Sequence, residues 1–524
     1  MIGGGGYGCM PNLPCEEGAM RSGARAPAGT RGGVWVLAAT ILGSSMVFID
    51  GTVVNVALPA LQRALNATVT DVQWVVEAYA LFLAALLLVG GSLGDLYGRR
   101  RIFLIGVVLF AGASVWCGFA ADVRSLIVAR GLQGVGGALL VPGSLALISS
   151  SFCEEDRGKA IGTWSGFTAI TTAVGPVLGG WLIEHLSWRW VFFINVPLAV
   201  LVVLISLARV PESRDEEMVQ RLDVWGAGLA TVGLCGITFG LIEAVRGGDR
   251  ALFAGVIGAV ALAGFFVVEL RSEAPMLPLG LFRSRTFSGA NLLTLFLYGA
   301  LSGVLFFLPL DLIQVQHYSA TQAGGALLPL ILLIFVLSRW SGGLIVKYGA
   351  RLPLIVGPLI AGVGFGLFRR TGVGESYWST VFPAVVVLGL GLAVSVAPLT
   401  TTVMSSIDQS RAGVASGINN AVSRVAGLLA IAVLGLVFST SFNGRLARGL
   451  DGLALSSEER QSVEAQRSKL AAAKSDDVRV QRLIADSFVG AYGVVLWIAV
   501  ELSLASALSA ALLIEKKPEP ARVF

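Results

Sequence analysis

The chain has 524 residues, of which 55% are hydrophobic and only 14% charged, with a formal net charge of +5. So low a charged fraction excludes a string of soluble domains and places the chain among integral membrane proteins. The basic excess lies mostly in short links between apolar segments, where membrane topology accounts for it without a nucleic-acid partner.

Residues 1–33 are rich in Gly and Pro and are expected to form a disordered cytoplasmic tail. The apolar segment that follows is too long for a signal peptide and lacks a cleavage site, so it reads as an uncleaved span. It runs over about 34–59 and carries one acid, Asp50, roughly 24 Å along a hydrocarbon core about 30 Å thick. An acid at such a depth costs about 2.5–3.5 kcal/mol, and its default role is functional, facing a bundle interior or a watery cavity. The plainer alternative is structural pairing with a neighbouring helix.

Further segments of bilayer length follow near 73–93, 102–121, 124–150, 159–184, 190–208, 224–245, 251–270, 288–313, 325–346, 353–372, 378–402, 413–440 and 488–514. The fold class is therefore all-α and integral to the membrane, with about fourteen transmembrane helices. Lys and Arg concentrate in the tails and even-numbered links, which puts both termini in the cytoplasm. The link over 441–487 carries both signs of charge and is expected outside, as surface helices opened by a Ser456/Glu459 capping box.

Gly91-Ser92-Leu93-Gly94-Asp95-Leu96-Tyr97-Gly98-Arg99-Arg100-Arg101 recurs as Gly342-Gly343-Leu344-Ile345-Val346-Lys347-Tyr348-Gly349-Ala350-Arg351-Leu352. Duplicated halves are the architecture of secondary transporters, with the site at the interface between the repeats. The expected organisation is two pseudo-symmetric six-helix halves, 34–208 and 288–514, with an inserted helix pair and its flanking links over 209–287 and a short cytoplasmic tail at 515–524.

Rise counting places Asp50, Arg130 in the fourth span and Glu77 in the second at similar depths, so the three are expected to meet. A cation beside a carboxylate favours its charged form, and separating the two favours protonation, which is the alternation a proton carrier needs. A pair that never titrates is the structural alternative. In the fifth span, Gly175-Pro176-Val177-Leu178-Gly179-Gly180 removes one helical hydrogen bond and permits close helix approach, so the segment can bend and seal against a neighbour.

These motifs together resemble the major facilitator superfamily, and within it the fourteen-span drug:proton antiporter branch, over about residues 34–514. Gly91 to Arg101 is similar to the signature loop between spans 2 and 3, which implies a cytoplasmic latch built on Gly91, Asp95, Gly98, Arg99 and Arg100. Arg130-Gly131-Leu132-Gln133-Gly134 resembles the buried-arginine motif, and Gly175, Pro176, Gly179 and Gly180 the antiporter signature, although Thr171 stands where that pattern opens with Gly. Trp188-Arg189-Trp190, Phe193-Ile194-Asn195-Val196-Pro197, Asp223 and Gly413-Val414-Ala415-Ser416-Gly417-Ile418-Asn419-Asn420 match the fourteen-span branch in order.

The resemblance implies a proton-coupled exporter of amphipathic, cationic toxic compounds in a bacterial-type inner membrane, acting as a monomer. Asp50, Glu77 and Arg130 are the expected proton-coupling groups, and Asp50, Glu77 and Asp311 the expected substrate contacts. Dedicated export of one metabolite and uptake symport are the alternatives. The five cysteines (Cys9, Cys15, Cys117, Cys153, Cys235) and two histidines (His185, His317) have no metal-ligand spacing, so no metal and no cofactor beyond the proton gradient is expected. No nucleophile–base set suggests an enzyme, and no Gly-Lys-Ser/Thr phosphate loop suggests an ATP-driven pump. Arg424 and Glu501, deep in the last two spans, are expected to pair with each other.

Overall fold

The computed structural model describes residues 31–214, 223–244, 248–272, 275–407, 412–453, 455–473 and 475–515. The terminal tails expected over 1–33 and 515–524 fall almost wholly outside the described residues.

Among the described residues, 14 helices are long and apolar enough to cross a membrane. Spans 1 to 5 are Arg31–Ala64, Val69–Tyr97, Arg99–Phe119, Val123–Ser151 and Glu154–His185. Span 6 is a short turn, Trp190–Phe193, continued by Asn195–Arg209, and spans 7 and 8 are Val224–Glu243 and Asp249–Arg271. Span 9, Arg285–Leu310, runs into a π-helical turn at Asp311–Val315. Span 10 is broken into Ala320–Gly325 and Leu328–Tyr348, and spans 11 to 14 are Arg351–Leu367, Val381–Ser405, Ala412–Asp451 and Val478–Leu513.

Local chemistry sets the starts of these helices. Thr68 and Asp71 close a reciprocal capping box on span 2, and Asp122 accepts from Ser125 N at 2.9 Å on span 4. Asp223 opens span 7 in the same way through Gly226 N at 2.7 Å. Each such cap supplies an orphan donor with a partner, worth about 1 kcal/mol. Arg189 serves the opposite end of a helix: its Nη1 donates to the carbonyls of Gly118 (2.7 Å) and Ala120 (3.0 Å), where span 3 stops.

Spans 1 to 6 pack on one another, as do spans 9 to 14, while spans 7 and 8 pair together and lean on span 2 and span 13. The pairing of 7 with 8 depends on glycine: a Cβ at Gly236 would lie 2.6 Å from Ala254 O, so the backbones touch. The two copies of the repeated stretch break their helices alike, with Gly98 at φ +108 and Gly349 at φ +74. Both are left-handed positions that a side chain strains, which explains the shared glycine.

Span 13 has 40 residues, about 60 Å of helix and twice the hydrocarbon thickness. Its excess projects into a lobe over 441–487, where Ser456 and Glu459 form the expected capping box on helix Ser457–Gln466. The Ser456 N–H and hydroxyl hold Glu459 below the usual carboxylate range. Leu470, buried although its φ is +52, plugs the lobe against the bundle. Lys469 reaches across to the link after span 1, donating to Asn66 Oδ1 at 2.8 Å.

Candidate functional site

Asp50 is 0% exposed, and its carboxylate is met from two other helices, spans 4 and 6. Arg130 Nη1 donates to Oδ2 at 2.5 Å, Gln133 Nε2 to Oδ1 at 2.8 Å, and Asn195 Nδ2 to Oδ1 at 3.4 Å. Gln133 holds the arrangement together, because its Oε1 accepts from Arg130 Nη1 at 2.6 Å while its second amide hydrogen serves Ser114 Oγ at 2.7 Å. Arg130 Nε donates to Val75 O at 3.0 Å, and the guanidinium lies 4.2 Å from the centroid of the Tyr79 ring. Charge, hydrogen bonds and cation–π contact thus compensate a buried pair that hydrophobic packing alone would not stabilise.

The residue next along span 1 has the opposite environment. Gly51 is exposed, and a Cβ there would meet nothing within 4 Å. The site therefore lies one residue behind an open helix face, with Asp50 turned inward from it.

Sequence reasoning expected Glu77 in this cluster, and the structure places it elsewhere. Glu77 shares a helix face with Gln73 and Leu81, one turn away on either side. Gln73 Nε2 donates to Ile431 O of span 13 at 3.0 Å, and Leu81 packs with Leu428. Glu77 thus faces span 13, 0% exposed, and neither carboxylate oxygen has a hydrogen-bond partner. Span 2 turns its 75–79 face to Arg130 and its 73–81 face to span 13, so depth alone did not decide which neighbours Glu77 meets.

Asp311 is also not part of the Asp50 cluster. It opens the π turn, is 1% exposed, and both its oxygens lack hydrogen-bond partners. The same turn carries Gln314, which donates to Gln62 Oε1 of span 1 at 2.8 Å, so Asp311 sits beneath a closed seam rather than at an open mouth. The expected pairing of Arg424 with Glu501 does not form. Glu501 is exposed on the outside of span 14, whereas Arg424 is half-buried, lies near Tyr79 of span 2 and has no hydrogen-bond or ion-pair partner among the described residues.

Gln133, Ser114 and Asn195 were not singled out as site residues, although the first and last lie within quoted motifs. A polar amide in an apolar span was the available signal. Ser114 had none, since a serine bonds its own helix as readily as a neighbour.

The glycines of span 5 make a seal at the end of the bundle away from the Gly91–Arg101 loop. A Cβ at Gly175 would lie 2.1 Å from Thr52 Oγ1 and one at Gly179 2.3 Å from Val53 Cγ2, so span 5 lies directly on span 1. The same helix meets span 10: a Cβ at Gly180 would lie 2.4 Å from Ala320 O, and one at Gly324 2.1 Å from Pro176 O. Glu184 adds a polar clasp, its Oε2 accepting from Thr321 Oγ1 at 2.5 Å and Ser319 Oγ at 3.1 Å. Gln62 Nε2 donates to Lys469 O at 3.1 Å in the lobe. This far end is closed.

At the other end, Asp95 Oδ1 accepts from Arg99 Nε at 2.8 Å. A second acid, Glu212 just beyond span 6, takes the Arg100 N–H at 3.0 Å and lies 3.7 Å from both Arg100 Nε and Arg101 Nε. Arg99 N also donates to Ser213 O at 2.8 Å. The loop is thus stitched to the segment leaving span 6, an arrangement its own motif does not encode. Gly91 packs beside Pro142 of span 4, where a Cβ would lie 3.7 Å away.

Residues 40–431 match the family described as the Major Facilitator Superfamily. The chain belongs to this superfamily. It is 36% identical over 421 residues to the tetracenomycin C resistance and export protein of Streptomyces glaucescens, covering 79% of this chain and 77% of that one. It is also 36% identical to the puromycin resistance protein of Streptomyces alboniger, over 77% of this chain and 81% of that one. Among solved superfamily structures, a bacterial homologue of the human lysosomal transporter Spinster, inward-facing and unoccupied, aligns with a TM-score of 0.68 at 18% identity, covering 94% of this chain and 100% of that one. The D-xylose-proton symporter aligns at 0.61 and 14% identity, covering 92% and 98%. The protein is therefore a multi-pass membrane protein of the superfamily's fold.

Proposed function

We propose that this protein exports amphipathic, antibiotic-like compounds from the cytoplasm in exchange for protons, as a monomeric unit in the inner membrane with both termini cytoplasmic. The observation that carries the coupling is the Asp50–Arg130–Gln133 cluster, a titratable acid sealed one residue behind an open helix face. The closed far end is then the external side, and the face beside Gly51 opens toward the cytoplasm. Separation of Asp50 from Arg130 favours protonation of the acid, whereas re-pairing or the arrival of a cationic substrate favours release of the proton, so binding and protonation exclude each other. Glu77, on the span 2–span 13 seam, is a second candidate proton carrier, because an ionised carboxylate without a partner is costly there. One pH unit supplies about 1.4 kcal/mol per proton and 100 mV about 2.3 kcal/mol per charge, enough in combination to drive accumulation of order several hundredfold.

The substrate class rests on the relatives, named for resistance to tetracenomycin C and puromycin and for multidrug resistance. A second reading, export of one dedicated metabolite, is favoured by relatives named for single compounds, tetracenomycin C and actinorhodin. Efflux of a chemically varied dye and antibiotic panel from sealed vesicles under an imposed pH gradient separates the two. Export of several unrelated compounds supports the first, export of one supports the second, and export without regard to the gradient refutes proton coupling.

Two tests probe parts of this mechanism. Asp95→Asn and Gly98→Val are expected to lower turnover about tenfold, the size of a 1–3 kcal/mol perturbation of the loop, with equilibrium binding intact. At Gly98 a Cβ would fall 2.9 Å from Glu212 Oε1. Weakened binding with normal turnover would refute the latch. The second test concerns charge selectivity. A direct contact at Asp311 would make Asp311→Asn harm divalent cations more than monovalent ones, but Asp311 lies under the seam, so efflux of divalent, monovalent and neutral dyes should change in equal proportion. A loss graded by charge would return Asp311 to the substrate path.

A further inference from the structure

A pocket of about 400 Å³ opens at the far end between spans 11, 13 and 14. Arg369, Thr371, Arg445, Gly490, Gly493 and Trp497 belong to its wall. Gly493 stands 20 residues before Leu513 at the latch end of span 14, about 30 Å of helix, so the pocket lies at the headgroup boundary of the opposite leaflet. Trp497, half exposed, sits at the depth where aromatic side chains collect.

Two guanidinium groups stand over the two glycines. A Cβ at Gly490 would lie 2.7 Å from Arg445 Nη1, and one at Gly493 would lie 3.9 Å from Arg369 Nε. Residues three apart share a helix face about 4.5 Å apart along the axis, so the arginines bracket one shallow groove. The Arg369 guanidinium lies 4.7 Å from the centroid of the Trp497 ring and makes no hydrogen bond among the described residues, where the Nε of Arg445 reaches only Ser441 Oγ at 3.4 Å. Among the described residues neither pairs with a carboxylate. Asp486 and Glu501 are exposed one turn beyond Gly490 and Trp497 on either side. The hydroxyl of Thr371, a residue only 6% exposed, is buried in the same wall without a partner. Below the pocket, spans 11 and 14 continue as exposed apolar faces through Val363 and Leu504.

We propose that this pocket binds the phosphodiester headgroup of an anionic phospholipid, with its acyl chains along the apolar faces of spans 11 and 14. Paired guanidinium groups match phosphate oxygens with parallel charge-assisted hydrogen bonds. Thr371 contributes a neutral donor. The positive-inside rule does not explain arginines at this end of the bundle, and two exposed guanidinium groups over a glycine groove suit an anion held in the interface. This inference is independent of the transport reading, since it concerns a site on the lipid-facing side.

The test uses the full-length protein purified in detergent, with lipid retention followed by native mass spectrometry and the unfolding midpoint followed by heating. Phosphatidylglycerol should be retained and raise the midpoint, and phosphatidylcholine should bind about tenfold more weakly, the worth of one charge-assisted bond. Arg369→Gln with Arg445→Gln should abolish that preference. Gly490→Val fills the groove while leaving every charge in place, and it should weaken phosphatidylglycerol binding as well, which keeps the proposal testable if the double variant does not fold. Equal binding of the two lipids, or unchanged phosphatidylglycerol binding by Gly490→Val, would overturn it. A midpoint raised as far by millimolar inorganic phosphate as by the lipid would show a free-anion site and overturn the lipid assignment.

Discussion

Asp50→Asn is expected to reduce proton-driven efflux by about a hundredfold or more, the scale on which a positioned proton-transfer group contributes. The amide keeps the shape and still offers Arg130 an oxygen, but it cannot take up and release a proton. The same change removes the counterion of an arginine that is 1% exposed. Breaking one side of a buried pair costs about 3–5 kcal/mol, so a lower unfolding midpoint should accompany the loss of coupling. The double variant Asp50→Asn with Arg130→Gln separates the effects: removing both charges should recover the midpoint, while proton-driven efflux stays lost. Substrate exchange at equal pH on both sides should persist in Asp50→Asn. Unchanged pH-driven efflux in a well-expressed Asn variant would exclude Asp50 as the carrier, and recovery of efflux in the double variant would assign Asp50 a structural role alone.

Gly324→Val should have an effect of comparable size by a different route. Its Cβ would fall 2.1 Å from Pro176 O and 2.6 Å from Pro176 C, backbone atoms that cannot swing aside. Spans 5 and 10 can no longer meet, so the closed far end loses stability relative to a conformation in which they part. A loss of only about 2.7 kcal/mol shifts that balance a hundredfold. Efflux should fall because the return step is blocked, whereas binding from the far side should be retained. A cysteine placed at Gln62, which bonds across the seam to Lys469 O, should react with a membrane-impermeant maleimide faster in Gly324→Val than in its parent. Equal labelling rates would mean that the seam is not a gate.

Much of the architecture was legible in the residues. Water excludes apolar segments and hydrocarbon requires satisfied backbones, so length and hydropathy leave helices as the only reading. Local rules also carried through where they act within a few residues, as in the Ser456–Glu459 box and the helix breaks at Gly98 and Gly349. Asp50 announced itself because an acid inside a span is costly, and Arg130 because it is the natural compensation.

Tertiary structure decided which groups meet. Rise along a helix gives depth, but contact depends on the direction of each side chain around the axis and on the rotation of the neighbouring helix. On that basis Glu77 turned to span 13, Asp311 went under the seam, and Arg424 stood apart from Glu501. Gln133, Ser114 and Asn195 joined Asp50 across four spans, and Glu212 joined the latch from more than a hundred residues away. The pocket between Arg369 and Arg445 likewise has no local motif, because its two charges share a place only when spans 11, 13 and 14 pack together. Sequence determined what the membrane demands of each segment, and packing determined the company each buried charge keeps, since no rule local to one helix fixes the rotation of another.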